Sequence, residues 1–427
     1  MTAPRTLLLV TYHFPPSAAS GSFRMLGFAR HLPKFGWNVS VVAPPSIPWE
    51  PVDPKLAAQV PPETAIFHAP YTRPPLSAPF RTAAPYSWWL PSAREAVRRA
   101  VRAGRPDVLM TSGPPHTVHV FGLLMKRRYG LPWVADFRDP WVLTADAASV
   151  RRTTRKRVTS ALERAVMKNA DLIVLNAPGA RAALQDAYPE YADKMVSVTN
   201  GYDPELFRAV PPAPPSDGPI TIVHPGQIYG GRDPRPFLDA VRAAEDARRA
   251  GTGAAFHVRL IGQTERAYLD LEREIQGRGL EQAVSLIGQV SYAEALREMC
   301  QAAILLLLDT VGRKIGVPAK LYEYVGAGRP VLALAEPDGD LAWVLRESGI
   351  TYRIAPPDDP AAIHRALAEL GAVIKAGPTD RPSGPEGEKF SRESLARDLA
   401  ERLDRCVAPP RGAGRADQTE AVVASRP

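Results

Sequence analysis

The sequence predicts an α/β protein built from two parallel-sheet domains that face a cleft. Three observations carry that reading. Short apolar runs alternate with segments of helical period along almost the whole chain. The alternation occurs twice, on either side of the proline-rich segment PPAPPSDGP at 211–219. The length of 427 residues exceeds one ordinary core. Strands alternating with helices form parallel sheets covered on both faces, so each half reads as Rossmann-like.

The first half opens with a strand from Arg5 to Tyr12 and a Pro/Ser/Gly loop from His13 to Ser22. A helix is expected over Phe23 to Phe35, with Met25, Phe28, Ala29 and Leu32 at helical spacing and Gly36 as its stop. Further strands are expected at Trp37 to Ala43, Ala65 to Ala69, Asp107 to Thr111, Trp133 to Phe137, Asp171 to Leu175 and Met195 to Thr199. The helices between them run from Ser92 to Ala103, His116 to Tyr129 and Val150 to Ala170.

In the second half the strands are Ile220 to His224, Phe256 to Ile261, Val284 to Ile287, Ala303 to Leu308, Val331 to Ala335 and Thr351 to Ile354. Helices fill the gaps, at about Arg235 to Arg249, Glu265 to Gly277, Ala293 to Ala302, Ala319 to Val325, Asp340 to Glu347 and Ala361 to Leu370. Ser391 caps a last helix with Leu395, Leu399 and Leu403 on one stripe. The expected division is an N-terminal domain (1–207), a linker (208–219), a C-terminal domain (220–385), a closing helix (386–407) and a disordered tail (408–427).

Composition narrows the class. Two cysteines, Cys300 and Cys406, offer neither a disulfide framework nor a zinc knuckle and suit a reducing compartment. The apolar run at the N-terminus is too short for a signal peptide. No stretch approaches the ~18 apolar residues of a membrane span. A cytoplasmic protein is expected. The net charge of +8 favours anionic partners, but no nucleic-acid motif accompanies it. Tyr86 to Leu90, which includes Trp88 and Trp89, precedes an arginine-rich helix, and Arg151, Arg152, Arg155, Lys156 and Arg157 form a second basic group. Both suit peripheral contact at the inner face of a membrane, and equally a solvated surface.

Gly316 to Leu334, GVPAKLYEYVGAGRPVLAL, concentrates the chemistry. Pro318 suits a helix start, and a helix N-terminus beside Lys314 and Lys320 makes an anion site. Glu323 lies one turn further in, on a helix whose neighbours are apolar, where an unpaired carboxylate is costly. It is suited to a ribose hydroxyl pair. Arg232 follows Tyr229-Gly230-Gly231, a turn that lets backbone approach phosphate.

Five segments, in this order, resemble the GT-B glycosyltransferases, specifically the family 4-like retaining group. They are FPPSAASGSFRMLGFARHLPKFGWNVSVVAP, with Gly21 and Arg24 as its substrate loop; TSGPPHTVH with PWVADFRDPW; TNGYDPELF; HPGQIYGGRDPRPFLDAV; and the Gly316 stretch. The resemblance covers about residues 5 to 405. It implies an acceptor side in the first domain, a nucleotide-sugar donor side in the second, and a final helix crossing back to the first. It implies a hexosyltransferase acting with retention in polysaccharide, glycolipid or other glycoconjugate biosynthesis, with lipid-linked acceptors frequent in the family. The donor grip then falls on Gly226, Tyr229, Arg232, Lys314, Lys320 and Glu323. The family's usual pair of glutamates eight positions apart is met only at the second, Glu323; Ile315 stands at the first.

Candidate catalytic groups are Asp136, Arg138, Asp139 and His116. The three charged residues either orient an acceptor hydroxyl or clamp the loop by ion pairing. His13 and His116 stand at loop positions facing the expected cleft. The resemblance implies no protein nucleophile, the leaving phosphate itself serving to take the acceptor's proton. No metal is expected either: neither an Asp-x-Asp pair at a strand end nor a His/Cys cluster is present. No cofactor is expected beyond the donor. A nucleotide-sugar epimerase on the same fold and a non-catalytic nucleotide-sugar binder remain alternatives. A dinucleotide oxidoreductase fits poorly, for want of GxGxxG followed by an acid.

Overall fold

A computed structural model describes residues 4–45, 50–71, 87–141, 153–211, 218–264, 269–377 and 385–407. Tyr86, Arg151, Arg152, the side chains of Arg155 and Lys156, linker residues 212–217, the start of the expected 265–277 helix and the tail from 408 lie outside them.

The first domain has seven strands: β1 (Arg5–Thr11), β2 (Trp37–Ala43), β3 (Ala65–His68), β4 (Val108–Gly113), β5 (Trp133–Phe137), β6 (Leu172–Leu175) and β7 (Met195–Ser197). Their order is β3-β2-β1-β4-β5-β6-β7, parallel throughout. Around them lie α1 (Ser20–His31), α2 (Pro54–Ala57), α3 (Leu90–Ala103), α4 (Thr117–Tyr129), α5 (Thr153–Asn169), α6 (Pro178–Ala187) and α7 (Pro204–Arg208).

The second domain has β8 (Ile220–Pro225), β9 (Phe256–Ile261), β10 (Val284–Ile287), β11 (Ile304–Leu308), β12 (Val331–Leu334) and β13 (Tyr352–Ala355), in the order β10-β9-β8-β11-β12-β13 and again parallel. Its helices are α8 (Arg235–Arg249), α9 (Leu271–Gly277), α10 (Tyr292–Gln301), α11 (Ala319–Ala327), α12 (Asp340–Glu347) and α13 (Pro360–Ala376), followed by α14 (Pro385–Glu388) and α15 (Arg392–Val407).

The apolar runs become strands because both faces are covered. In β11 Ile304, Leu306 and Leu308 enter the core under α8 and α13, while Leu305 and Leu307 enter the opposite core with Tyr322 and Tyr324. The expected helix to Phe35 ends instead at His31. Leu32–Phe35 is a 3-10 turn, because Pro33 lacks the N–H that would continue the α-helix. Trp89 is fully buried beside the Tyr12 ring, and Trp88 packs on Tyr71. Trp89 is therefore core and not an interfacial aromatic.

The chain returns to the first domain through α15. Its stripe of Leu395, Leu399 and Leu403 is buried in the core beneath β1 and β2. Asp203 fastens the return: its carboxylate accepts from Arg30 at 3.3 Å, from His31 at 3.2 Å and from Arg392. Burial alone would raise the Asp203 carboxyl, but the His31 hydrogen bond and the Arg392 and Arg30 charges outweigh it and hold the group well below the usual carboxylate range. Backbone bonds from Tyr202 N–H to Phe390 O and from Arg392 N–H to Tyr202 O flank it. This gives the TNGYDPELF segment its physical role.

A second carboxylate joins the domains. Asp340, at the start of α12, accepts from the Gly179 N–H of α6 at 2.6 Å and from the Gly316 N–H of the second domain at 2.8 Å. Asp203→Ala strands Arg392 and the inward ring of His31. The expected loss is about 3 kcal/mol of unfolding free energy, measured by urea titration, with proteolysis beginning at α15.

Candidate functional site

Ligands in open parallel sheets bind beyond the carboxyl ends of the strands, where the strand order switches. Those points are β1/β4 in the first domain and β8/β11 in the second. The loops there form two chemically different walls.

The first wall is braced by buried charge. Arg24 donates to both Asp136 oxygens, at 2.7 and 3.3 Å, and to Thr199 O at 2.6 Å. Ser112 Oγ adds a third bond to Asp136 at 2.7 Å. Both charged side chains are almost wholly buried, with exposures of 4% and 0%. The expected catalytic Asp136 and substrate-loop Arg24 therefore face each other and not the cleft.

Arg138 is also buried. It donates to Gly113 O at 3.2 Å, to Pro114 O and to His13 Nδ1 at 2.9 Å. Burial pulls its pKa down against the pull of Asp136 and Asp139. Gly21 makes room for it: a Cβ there would lie 1.4 Å from Arg138 Nη1. Asp139 stands exposed at the rim.

His116 precedes α4, its ring stacked on Phe137 and on Trp141 at centroid distances of 5.7 and 5.3 Å. Burial first, then the charge of Arg138, brings its pKa down to about 4. His119 behind it is fully buried, stacked on Phe137 at 4.2 Å and bonded to Thr111 Oγ1 at 2.9 Å.

The second wall is less neutralised. His224 closes β8 and donates Nδ1–H to Leu306 O at 2.9 Å; Tyr324 OH donates to the same oxygen at 2.9 Å. Burial brings His224 down to about 4 against that bond, helped by the charges of Lys320 and Arg232. Both cations therefore lie within electrostatic reach of one imidazole. A Cβ on Gly226 would lie 3.1 Å from Lys320 Cε and 3.2 Å from His224 Nε2, so the backbone there stays open. Arg232 lies over the Tyr229 ring at 4.7 Å. The turn before it holds Gly230 and Gly231 at φ 40° and 85°, which glycine alone adopts readily.

Glu323 is partly buried, accepts from Tyr292 OH at 3.1 Å and stands 3.8 Å from Lys320 Nζ. No side chain caps α11; Pro318 is its N-cap residue and not part of its first turn. Beside Gly226 a cavity of about 420 Å³ opens among Ile228, Ile261, Gly262, Leu271 and Ile287.

Lys314 does not join this group. It is exposed and bonded to Asp338 at 2.7 Å, because the loop after β12 brings that carboxylate under it. Sequence reasoning also missed Glu50, which holds His13, and Tyr292, whose ring stands 6.0 Å from Phe23 of the first domain. Neither lies near a motif. Among the described residues no group of three His, Cys, Asp or Glu side chains is placed to hold a metal, and no helix is long and apolar enough to cross a membrane.

Comparison with known proteins gives the same architecture a family. The glycosyl transferase 4-like domain matches residues 22–201, and the glycosyl transferases group 1 domain matches residues 220–372; together they take in most of the chain. A probable glycosyltransferase, WbjE, of Pseudomonas aeruginosa is 22% identical over 299 residues, 64% of this chain and 68% of the relative. Sucrose-phosphate synthase from Thermosynechococcus elongatus superposes with a TM-score of 0.64 at 18% identity, covering 94% of this chain and 98% of the other. HepE of Anabaena, solved with UDP, superposes with a TM-score of 0.62 at 15% identity, covering 94% and 100%; that protein has also been solved with UDP-glucose.

The neutral histidines set an acid limit on stability. A histidine near 4 in the fold and near 6.5 when unfolded takes up its proton first in the unfolded chain as pH falls. Stability is therefore complete above about 6.5 and drops towards 4. Between pH 7 and 5 each of His116 and His224 should account for about 2 kcal/mol of lost stability. Urea unfolding at the two pH values should show this slope, and His116→Gln should flatten it.

Proposed function

The chain belongs to the 4-like, group 1 family of GT-B glycosyltransferases, and from that premise we propose that it transfers a sugar from a nucleoside diphosphate sugar to an acceptor hydroxyl with retention of configuration, in the biosynthesis of a polysaccharide, glycolipid or other glycoconjugate. The observation that carries this reading is the second wall. A slot of about 420 Å³ adjoins Gly226, with Ile228, Leu271 and Ile287 on its walls beside Thr264, Asp270 and Glu272, and Lys320, Arg232 and Glu323 are grouped around His224 and Tyr324.

In this reading the base takes the slot, the ribose hydroxyls meet Glu323, and the diphosphate meets Lys320, Arg232 and the uncapped start of α11. Those groups stabilise the negative charge that grows on the leaving phosphate as the sugar becomes oxocarbenium-like, and such stabilisation often contributes more to catalysis than any other single effect. His224, kept neutral, adds no charge of its own.

The acceptor lies against the first wall. Asp139 and His116 are the groups there with freedom to orient a hydroxyl, while Arg138 and Gly21 shape the floor. Asp136 is spent on Arg24, so no nucleophile is assigned, and the departing phosphate oxygen takes the acceptor's proton. No metal and no cofactor enter this reading. A lipid-linked acceptor at the inner face of a membrane suits the exposed Arg94, Arg99 and Arg102 of α3 and Arg127 and Arg128 of α4. Liposome flotation at low salt with anionic vesicles tests that part; no co-migration would end it.

A thermal-shift panel of UDP, GDP, TDP and ADP should show stabilisation by one nucleotide. Glu323→Ala should weaken that binding about tenfold, the loss of one charged hydrogen-bond partner. If no nucleotide shifts the melting temperature, the donor site is wrongly placed. With the bound nucleotide's sugar as substrate, EDTA should leave the rate unchanged, and NMR of the product should show the donor's anomeric configuration.

A further inference from the structure

Residues 50–53 form a strap across the loop between β1 and α1. Ser17 pairs with Val52, Ala18 N–H donates to Pro51 O at 2.9 Å, and Asp53 N–H donates to Pro16 O at 2.8 Å. From the strap Glu50 points inward, its side chain 13% exposed. One oxygen accepts from Ser17 Oγ at 2.7 Å and the other meets His13 Nε2 at 3.0 Å.

The roles along this chain are fixed by what Arg138 can do. A guanidinium only donates. Since Arg138 Nη2 lies 2.9 Å from His13 Nδ1, that nitrogen holds a lone pair. The ring proton then sits on Nε2, which requires an acceptor, and Glu50 is it. Arg138 passes the constraint on to Gly113 O and Pro114 O, in the loop that ends at His116, and it fills the space left by Gly21. One hydrogen-bonded line thus ties the strap to all three loops of the first wall.

We propose that Glu50 is a positioning residue for sugar transfer: it holds His13 in the Nε2–H tautomer and, through Arg138, sets the Gly113–His116 loop against the acceptor. This rests on the first wall being the acceptor side.

Protonating His13 would remove the acceptor for Arg138 and place two cations 2.9 Å apart. The groups facing His13 are Glu50, Arg138 and the Tyr12 ring, whose centroid lies 4.9 Å away. Arg138 in turn feels Asp136, Asp139, Arg24 and Glu50, and its charge acts on His116 and His119.

The test compares Glu50→Gln and Glu50→Ala with the wild-type protein. Nitrogen-15 NMR of the histidine rings should find His13 as the Nε2–H tautomer in the wild type, retained in Glu50→Gln, whose amide oxygen still accepts, and mixed in Glu50→Ala. Hydrolysis of UDP-glucose, or of the glucose donor bearing whichever base the thermal-shift panel selects, gives the second readout. Glu50→Ala should lose about tenfold or more in kcat, with donor KM and the nucleotide thermal shift within about twofold of wild type. Glu50→Gln should regain most of kcat.

A purely structural Glu50 would lower melting temperature and activity together and leave the His13 tautomer unmixed in Glu50→Ala. An Nδ1–H tautomer in the wild type, or full kcat in Glu50→Ala, overturns the proposal. Absence of any nucleotide shift in the wild type instead sinks the donor-site reading and leaves the tautomer result to decide on Glu50. Should Glu50→Ala fail to fold, Glu50→Gln still carries both readouts.

Discussion

The ion pair between Arg24 and Asp136 anchors the rest of the site. Taking two charges out of water is costly unless each finds full compensation, and here each does. Asp136 receives Arg24 twice and Ser112 once; Arg24 spends its remaining arm on Thr199 O. Three places are pinned by one guanidinium: the helix after the first loop, the end of β5, and the point where the chain leaves the first domain. The loops of the first wall hang from these anchors. Losing either partner would strand a buried charge, and both the wall and the domain joint would shift.

The two walls divide the electrostatic work. In the first, positive charge is matched: Arg24 by Asp136, and Arg138, through His13, by Glu50. Asp139, exposed, adds a further negative charge that bears on Arg138. In the second, Lys320 and Arg232 bear on a neutral histidine, and Glu323 is 3.8 Å from Lys320. Among the described residues the rigid side thus carries surplus negative charge and the other side surplus positive charge.

Much of this was legible in the sequence, and the exceptions have physical reasons. Apolar runs such as Ile304–Leu308 announce buried parallel strands, and Glu323 stands out among apolar helix neighbours. Gly21, in the first turn of α1, and Gly226, just after β8, stand where a Cβ would crowd a cation's side chain, Arg138 at the first and Lys320 at the second. What stayed hidden depends on contacts distant in sequence. Lys314 reads as a free cation in the sequence, whereas in the fold it pairs with Asp338, 24 residues on. Asp136 and Arg24 looked available because their pairing spans 112 residues. Glu50 sits in a proline-rich stretch without periodicity, and Tyr292 gains meaning only from Glu323 and from Phe23 across the domain boundary.

Asp340 has a consequence for how such chains diversify. Its carboxylate is shared between the Gly179 amide of one half and the Gly316 amide of the other, and a Cβ at 179 would lie 2.7 Å from its Oδ1. The demand for glycine at 179 therefore comes from the opposite half of the molecule. A chimera that joins this first domain to a relative's second domain inherits that demand only if an acid stands where Asp340 does. In the reverse exchange, a side chain at 179 would meet the Asp340 carboxylate and cost the bond that the two halves share there.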